Sequence, residues 1–177
     1  KHFDVADVLN GVCEKLIHRH PHIYGDVKVE NEEDVKRNWE QLKLKEGKKS
    51  VLQGVPASLP ALVKATRIQD KARGVGFDWD HKSQVWDKVQ EEIAEFQHEE
   101  KQGDLAKMED EFGDVLFSMI NYARFLNINP EDALERTNKK LIHRFKYLES
   151  KATELGKSLS DMTLAEMDVF WEEAKGL

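Results

Sequence analysis

Two pairs of acidic residues occur at a spacing that places each pair on one side of a helix. Glu92 and Glu95 are three residues apart, and so are Glu111 and Asp114. Residues at this spacing share a helical face. The turn signal at Gln102-Gly103 lies between the pairs, so the two helices are expected to run antiparallel. Counting outward from this turn puts Glu95 beside Glu111 and Glu92 beside Asp114, which predicts four carboxylates at one level.

The residues around these acids favour a bound cation over a solvated acidic surface, which is the simpler alternative. Glu92 falls on the edge of an apolar stripe made by four residues of its helix, Val85, Val89, Ile93 and Phe96. The second helix is apolar almost all round after Asp114, a pattern that predicts deep burial. Carboxylates gathered beside a core repel one another and lose hydration, so they need a counter-ion.

The ligand types indicate which cation this would be. Carboxylate oxygens suit Mg²⁺, with Mn²⁺ as a substitute. Neither acidic pair contains the histidine of a di-iron Glu-x-x-His motif, and no acidic loop has the central glycine of an EF-hand. We therefore predict Mg²⁺ bound by Glu92, Glu95, Glu111 and Asp114.

Three further residues could act on a phosphate compound beside such an ion. Lys140 and Arg144 are four residues apart on one helical face and could stabilise phosphate charge, although an ordinary solvated basic face explains them equally well. Glu91 could act as a general base through a water molecule, or it could be a surface acid.

The elements that would position these residues are helices. The 177 residues include only 10 glycines and 4 prolines, and no strand pattern competes with the helical periodicity. We predict an all-α fold, an antiparallel helix bundle. Its helices are expected at about 4–19, 32–46, 60–73, 81–101, 104–126, 130–155 and 164–176.

The composition excludes several classes of protein. A net charge of −7 argues against a protein that binds nucleic acid through the phosphate backbone. The single cysteine, Cys13, suits a reducing compartment. No membrane span or signal peptide is recognisable, so we expect a cytoplasmic protein with no membrane partner.

Because the chain starts with Lys1 rather than methionine, we also expect that residue 1 is not the natural start.

An internal repeat suggests how the chain is organised. The segment Lys15–Arg19 (KLIHR) recurs unchanged at Lys140–Arg144, and a Trp-Glu-x-x-Lys motif follows each copy, at Trp39 and at Trp171. Chance similarity between amphipathic helices is the alternative. The repeat predicts three parts: residues 1–48 as the tail of a first repeat without its metal-binding helices, 49–59 as a linker, and 60–177 as a complete second domain.

Five segments resemble the MazG family of nucleoside triphosphate pyrophosphohydrolases, in its tandem-domain type. They are Ser58–Leu62 (SLPAL), Val75–Trp79 (VGFDW), Lys88–Glu95 (KVQEEIAE), Glu109–Phe117 (EDEFGDVLF) and Asn138–Phe145 (NKKLIHRF). The resemblance covers essentially the whole chain. It implies an all-α fold that dimerises into a four-helix-bundle core, and Mg²⁺-dependent hydrolysis of nucleoside triphosphates between the α- and β-phosphates to a nucleoside monophosphate and pyrophosphate.

The resemblance also assigns roles to individual residues. It maps the family's metal ligands onto the four acids named above. Its nucleotide contacts map onto Lys88, Lys107, Lys140, Arg144 and Trp171. Two alternatives stay open: a related all-α enzyme of the phosphoribosyl-ATP or dUTP type, and a non-catalytic helical partner protein that keeps its acids for solubility.

Overall fold

The computed structural model describes residues 3–31, 34–35, 38–39, 42 and 50–176, and within them every regular element is helical. The α-helices are α1 (Val5–Arg19), α2 (Pro21–Tyr24), α3 (Ala61–Arg73), α4 (Lys82–Gln102), α5 (Leu105–Phe125), α6 (Pro130–Glu154) and α7 (Leu164–Glu173). Short 3-10 helices follow α6 and α7, at Leu159–Asp161 and Ala174–Gly176. The all-α prediction is confirmed. The helix predicted over 32–46 lies mostly outside the described residues.

The first helix begins at a capping box and ends before a proline. The side chain of Asp4 accepts a hydrogen bond from the backbone N–H of Asp7, and the side chain of Asp7 accepts one from the backbone N–H of Asp4. Beyond His20, where no helix is expected from the sequence, the structure has the short helix α2 with Pro21 at its first position. Proline is well suited to this position, because the first turn of a helix does not use its N–H.

Helices α4 and α5 form the antiparallel hairpin that the acidic pairs predict. Gly103 turns the chain in the left-handed conformation (φ 75°), and its N–H donates to the carbonyl oxygen of Glu99 at 3.0 Å. Asp104 then caps α5 by accepting from the N–H of Lys107. Two aromatic pairs join the helices, Phe96 with Phe112 and Trp86 with Tyr122.

Two contacts attach the preceding segments to this hairpin. Gln69 of α3 donates through Nε2 to the carbonyl oxygen of Phe117 in α5, at 2.8 Å. In the loop that leads to α4, Asp78 accepts two hydrogen bonds from the guanidinium of Arg124, one of them 2.9 Å long. Arg124 also donates to the side chain of Asn121. The loop is therefore fixed to the carboxyl end of α5.

The chain divides into two compact units, one ending at Leu126 and the other beginning at Asn127. The second unit starts as predicted, with Asn129 accepting from the N–H groups of the first turn of α6 and Pro130 at its first position. Its core contains Leu148, Ala152 and Met162, with Leu159, Met167 and Phe170 packed against them. The division into repeats at 1–48, 49–59 and 60–177 stays a prediction.

The prediction of deep burial along α5 is wrong for several residues of this chain. Leu116, Phe117 and Met119 are exposed to 48%, 40% and 43%, whereas Ser118 and Ile120 are buried. The apolar composition of α5 predicts that most of its surface is covered. The neighbouring described helices of this chain cover only part of that surface. Among the described residues, no helix is both long enough and apolar enough to cross a membrane.

Candidate metal centre

Three carboxylates from the two helices of the hairpin come together. Glu92 and Glu95 of α4 and Glu111 of α5 each contribute an oxygen atom, and these atoms all lie within 4.8 Å of one another. Glu92 is buried, Glu111 is half-buried and Glu95 is exposed. The turn at Gly103 sets this register, because it leaves Glu95 and Glu111 on facing turns. The predicted approach of Glu95 to Glu111 is therefore present in the structure, and Glu92 joins them.

Asp114, the fourth predicted ligand, lies outside this group of three. Its side chain is exposed, one helical turn beyond Glu111 in α5. A spacing of three residues leaves two side chains about 60° apart around the helix axis, so sharing a face does not mean pointing at the same spot. Glu92, which was expected to lie beside Asp114, approaches Glu95 and Glu111.

The acids influence one another strongly. A hydrogen bond with Glu92 raises the pKa of Glu95, and some loss of hydration and the negative charges of Glu92 and Glu111 act in the same direction. The positive charge of Lys88 opposes the rise in the pKa of Glu95. Three carboxyl groups this close hold their charge only with compensation.

Lys88 provides part of that compensation from within α4. Its Nζ lies 2.7 Å from Oε1 of Glu91 and 2.9 Å from Oε1 of Glu92. The ammonium group of Lys88 donates to both carboxylates, and these hydrogen bonds, the one to Glu91 foremost, raise the pKa of Lys88 above its ordinary value. Glu91, the predicted general base, is thus an exposed acid paired with Lys88 and is separate from the group of three.

The donor set fits a hard divalent cation. It consists of carboxylate oxygens alone, one of them from the buried Glu92, on two helices that are fixed by a tight turn. Such ligands suit Mg²⁺ or Mn²⁺. At the next level toward the turn, Lys107 approaches Glu99 (3.8 Å) and Asp104 (3.9 Å), with an exposed ammonium group.

The remaining predicted nucleotide contacts belong to the C-terminal unit. Arg144 of α6 places its guanidinium over the ring of Trp171 in α7, 5.7 Å from the ring centre. Both residues are half-buried, and Lys140 is exposed one turn earlier on α6. The hydroxyl of Tyr147 donates to Oε2 of Glu173 at 3.1 Å, which links the same two helices. The structure therefore brings Arg144 and Trp171 together.

Sequence reasoning missed Gln69, a buried polar residue next to the hairpin. A signal for it exists in α3: Gln69 follows Leu62 by seven residues and Ala65 by four, which places it on the apolar face of the helix. A polar side chain at such a position needs a hydrogen-bond partner. The pairing of Asp78 with Arg124 had no comparable signal, because the two residues are far apart in the sequence.

Comparison with known proteins agrees with this arrangement. Residues 81–148, which include α4 and α5, match the model of the MazG nucleotide pyrophosphohydrolase domain. The chain is 39% identical to the nucleoside triphosphate pyrophosphohydrolase of Escherichia coli (strain K12), over 98% of the chain and 68% of that protein. It is 40% identical to the nucleoside triphosphate pyrophosphohydrolase/pyrophosphatase MazG of Thermotoga maritima, over 98% of the chain and 67% of that protein. By this similarity along almost its whole length, the chain belongs to the MazG nucleotide pyrophosphohydrolase family.

Proposed function

We propose that this chain hydrolyses nucleoside triphosphates between the α- and β-phosphates, releasing a nucleoside monophosphate and pyrophosphate. The main support is the group formed by Glu92, Glu95 and Glu111, whose oxygens lie within 4.8 Å of one another in a chain of this family. The names of the relatives from Escherichia coli and Thermotoga maritima describe the same class of reaction.

In this proposal the three glutamates hold Mg²⁺, with Mn²⁺ as a substitute. A divalent cation at this position neutralises phosphate charge and makes water a better nucleophile. The hairpin holds the carboxylates in place before the substrate arrives, so little reorganisation is needed. Asp114 is a fourth ligand that contributes less to ion binding, because its side chain lies outside the group of three.

The other charged residues act on the nucleotide and on water. Glu91 accepts a proton from the attacking water, with Lys88 orienting its carboxylate from 2.7 Å. Lys88 and Lys107 of the first unit offer ammonium groups to the phosphates. For the C-terminal unit, the resemblance to the MazG family assigns phosphate contacts to Lys140 and Arg144 and stacking to Trp171. A chain with a net charge of −7 favours a small triphosphate carried with a cation over a nucleic acid.

We also propose that the chain forms a homodimer through α5. Phe112, Leu116 and Met119 are separated by four and three residues, so they form one stripe along the helix. All three are exposed, to 50%, 48% and 43%. A stripe of large apolar residues that lines up on a helix is typical of a surface that is covered in an assembly.

The experiment measures pyrophosphate release from a nucleoside triphosphate with and without Mg²⁺, together with Mn²⁺ binding by calorimetry. We expect Glu92→Gln and Glu111→Gln to lower kcat/KM by at least about a hundredfold and to weaken Mn²⁺ binding, since each removes a proposed ligand. Asp114→Asn should weaken Mn²⁺ binding less than either. Glu100→Gln, at an exposed position of α4, is the matched control and should change neither quantity.

Full activity in both glutamine variants would contradict the site. Absence of pyrophosphate release from every nucleoside triphosphate tested, in a protein that keeps its helical circular dichroism, would contradict the function and favour a non-catalytic role. Activity restricted to phosphoribosyl-ATP or to dUTP would identify one of the related substrate classes.

A further inference from the structure

Lys88 contacts two acids of α4, of which only one belongs to the group of three. Its Nζ lies 2.9 Å from Oε1 of Glu92 and 2.7 Å from Oε1 of Glu91. The side chain of Glu92 is almost enclosed, with 10% exposed, whereas that of Glu91 is 56% exposed. A single ammonium group therefore joins a buried proposed ligand to an acid at the protein surface.

This contact affects any cation that the group of three binds. Glu92 is one of the three proposed ligands, so its carboxylate would have both the ammonium group and the ion as neighbours. Lysine is positively charged at neutral pH. Two cations beside one buried carboxylate repel each other more strongly than they would at the surface, because little water separates them.

A residue that contacts a metal ligand commonly strengthens ion binding, because it holds the ligand in the right orientation. Lys88 differs from such a residue in two respects. Glu92 also forms a hydrogen bond with Glu95, so its carboxylate has a second contact that fixes its position. Glu91 already lies within hydrogen-bond distance of the ammonium group and would keep it if Glu92 released it. The orienting effect of Lys88 is therefore replaceable, whereas its positive charge opposes the ion.

We propose that Lys88 is an internal counter-cation that competes with the divalent ion for Glu92. Binding of the ion displaces the ammonium group from Glu92, and Glu91 retains it. Lys88 thereby weakens ion binding by the protein alone, and the same displacement makes its ammonium group available to a phosphate oxygen. This inference rests on the proposed metal site and pyrophosphohydrolase function.

The first test measures the Kd for Mn²⁺ by calorimetry, without nucleotide, in the unsubstituted protein and in Lys88→Met. Methionine keeps most of the length of the side chain and removes its charge, so Kd should fall by about tenfold. Lys88→Arg keeps the charge and should not tighten binding. Lys101→Met is the matched control, because Lys101 is exposed on the opposite side of α4 from Glu92. It should change Kd by less than about twofold.

The second test uses the unsubstituted protein and does not depend on the folding of a variant. Acetylation of lysine side chains by acetic anhydride is followed by mass spectrometry with and without Mg²⁺. The side chain of Lys88 is 34% exposed, so the reagent can reach it. Because Mg²⁺ removes one of its two carboxylate partners, the acetylation rate of Lys88 should rise by about threefold or more. The rate of Lys101 should stay the same.

Equal or weaker Mn²⁺ binding by Lys88→Met, in a protein that keeps its helical circular dichroism, overturns the inference, because Lys88 then supports the ligands. An acetylation rate of Lys88 that Mg²⁺ leaves unchanged also overturns it. Absence of Mn²⁺ binding from both the unsubstituted protein and Lys88→Met overturns the inference together with the proposed site. Failure of the proposed function alone looks different: no triphosphate is hydrolysed, while the Mn²⁺ affinities still report on Lys88.

Discussion

At the scale of single residues, the acid group shows how the chain compensates its own charge. Lys88 contacts Glu92 from one turn earlier on the same helix and simultaneously contacts Glu91. An ammonium group has one positive charge, whereas the three clustered glutamates can carry three negative charges. The remaining imbalance is what makes a divalent cation the natural occupant of this group.

The ion pair between Asp78 and Arg124 supports a prediction about stability. Both side chains are largely buried, with 23% and 13% exposed, and Arg124 also bonds Asn121. Asp78→Ala leaves the guanidinium without its charged partner, so we expect the free energy of unfolding to fall by about 1–3 kcal/mol. Urea denaturation followed by circular dichroism measures this. Asp80→Ala, at an exposed position of the same loop, should change it by less than about 0.5 kcal/mol. Equal effects of the two substitutions would contradict a specific role for the pair.

Much of the acid group could be predicted from single residues, and the exception has a geometric reason. Glu95 and Glu111 follow from counting residues on each side of Gly103, because the count gives the height of each side chain along the hairpin. The count does not give the direction around each helix. Asp114 therefore lies outside the group although its height was counted correctly enough for Glu111, three residues before it, to be inside. The pairing of Lys88 with Glu92 depends on rotamers that no residue count contains.

At the scale of elements, the start of α7 couples stability to pH. Glu166 accepts from Lys157 at 2.7 Å and from the backbone N–H of Thr163 at 2.8 Å. The ammonium of Lys157, followed by the two hydrogen bonds from Thr163, lowers the pKa of Glu166 from 4.5 to about 2. The ionised carboxylate thus stabilises the fold fully above about pH 4.5, and this contribution is lost as the pH falls through about 2.

We therefore expect Glu166→Gln to destabilise the protein at neutral pH and to make progressively less difference as the pH is lowered to about 2. Urea denaturation of both proteins at several pH values measures the difference in unfolding free energy. Glu149→Gln, at an exposed position of α6, controls for the loss of one negative charge. A difference that stays constant over this pH range would contradict the role of Glu166.

The helices could be predicted where a local signal marks their ends. Asn129 with Pro130 starts α6, and the box of Thr163 with Glu166 starts α7, as their side chains predict. The helix α2 (Pro21–Tyr24) had no such signal, since a proline after a histidine is equally compatible with a turn. The burial of α5 could not be predicted, because an apolar sequence says how much surface should be covered without saying what covers it.

At the scale of the whole molecule, the proposed dimer gives a direct prediction. Leu116→Lys places a charge in the middle of the exposed stripe of α5. In a two-fold symmetric interface each protomer would bring the same charge to the same surface. We expect light scattering after gel filtration to give twice the chain mass for the unsubstituted protein and the single chain mass for this variant.

Leu164→Lys is the matched control, because Leu164 is a more exposed leucine, at 71%, in α7. It should leave the dimer intact. A monomeric unsubstituted protein, or dissociation by Leu164→Lys alone, would contradict an interface on α5.

The turn at Gly103 makes the metal site unusually sensitive to chain length. One residue inserted there and taken up as helix would rotate α5 by about 100° and shift it by about 1.5 Å relative to α4. Each helix would still form, because its own hydrogen bonds are local. The carboxylate of Glu111 would then face away from Glu92 and Glu95. A change that leaves the helical content almost untouched could thus abolish ion binding completely. Insertions in loops distant from this hairpin would leave the three acids close together.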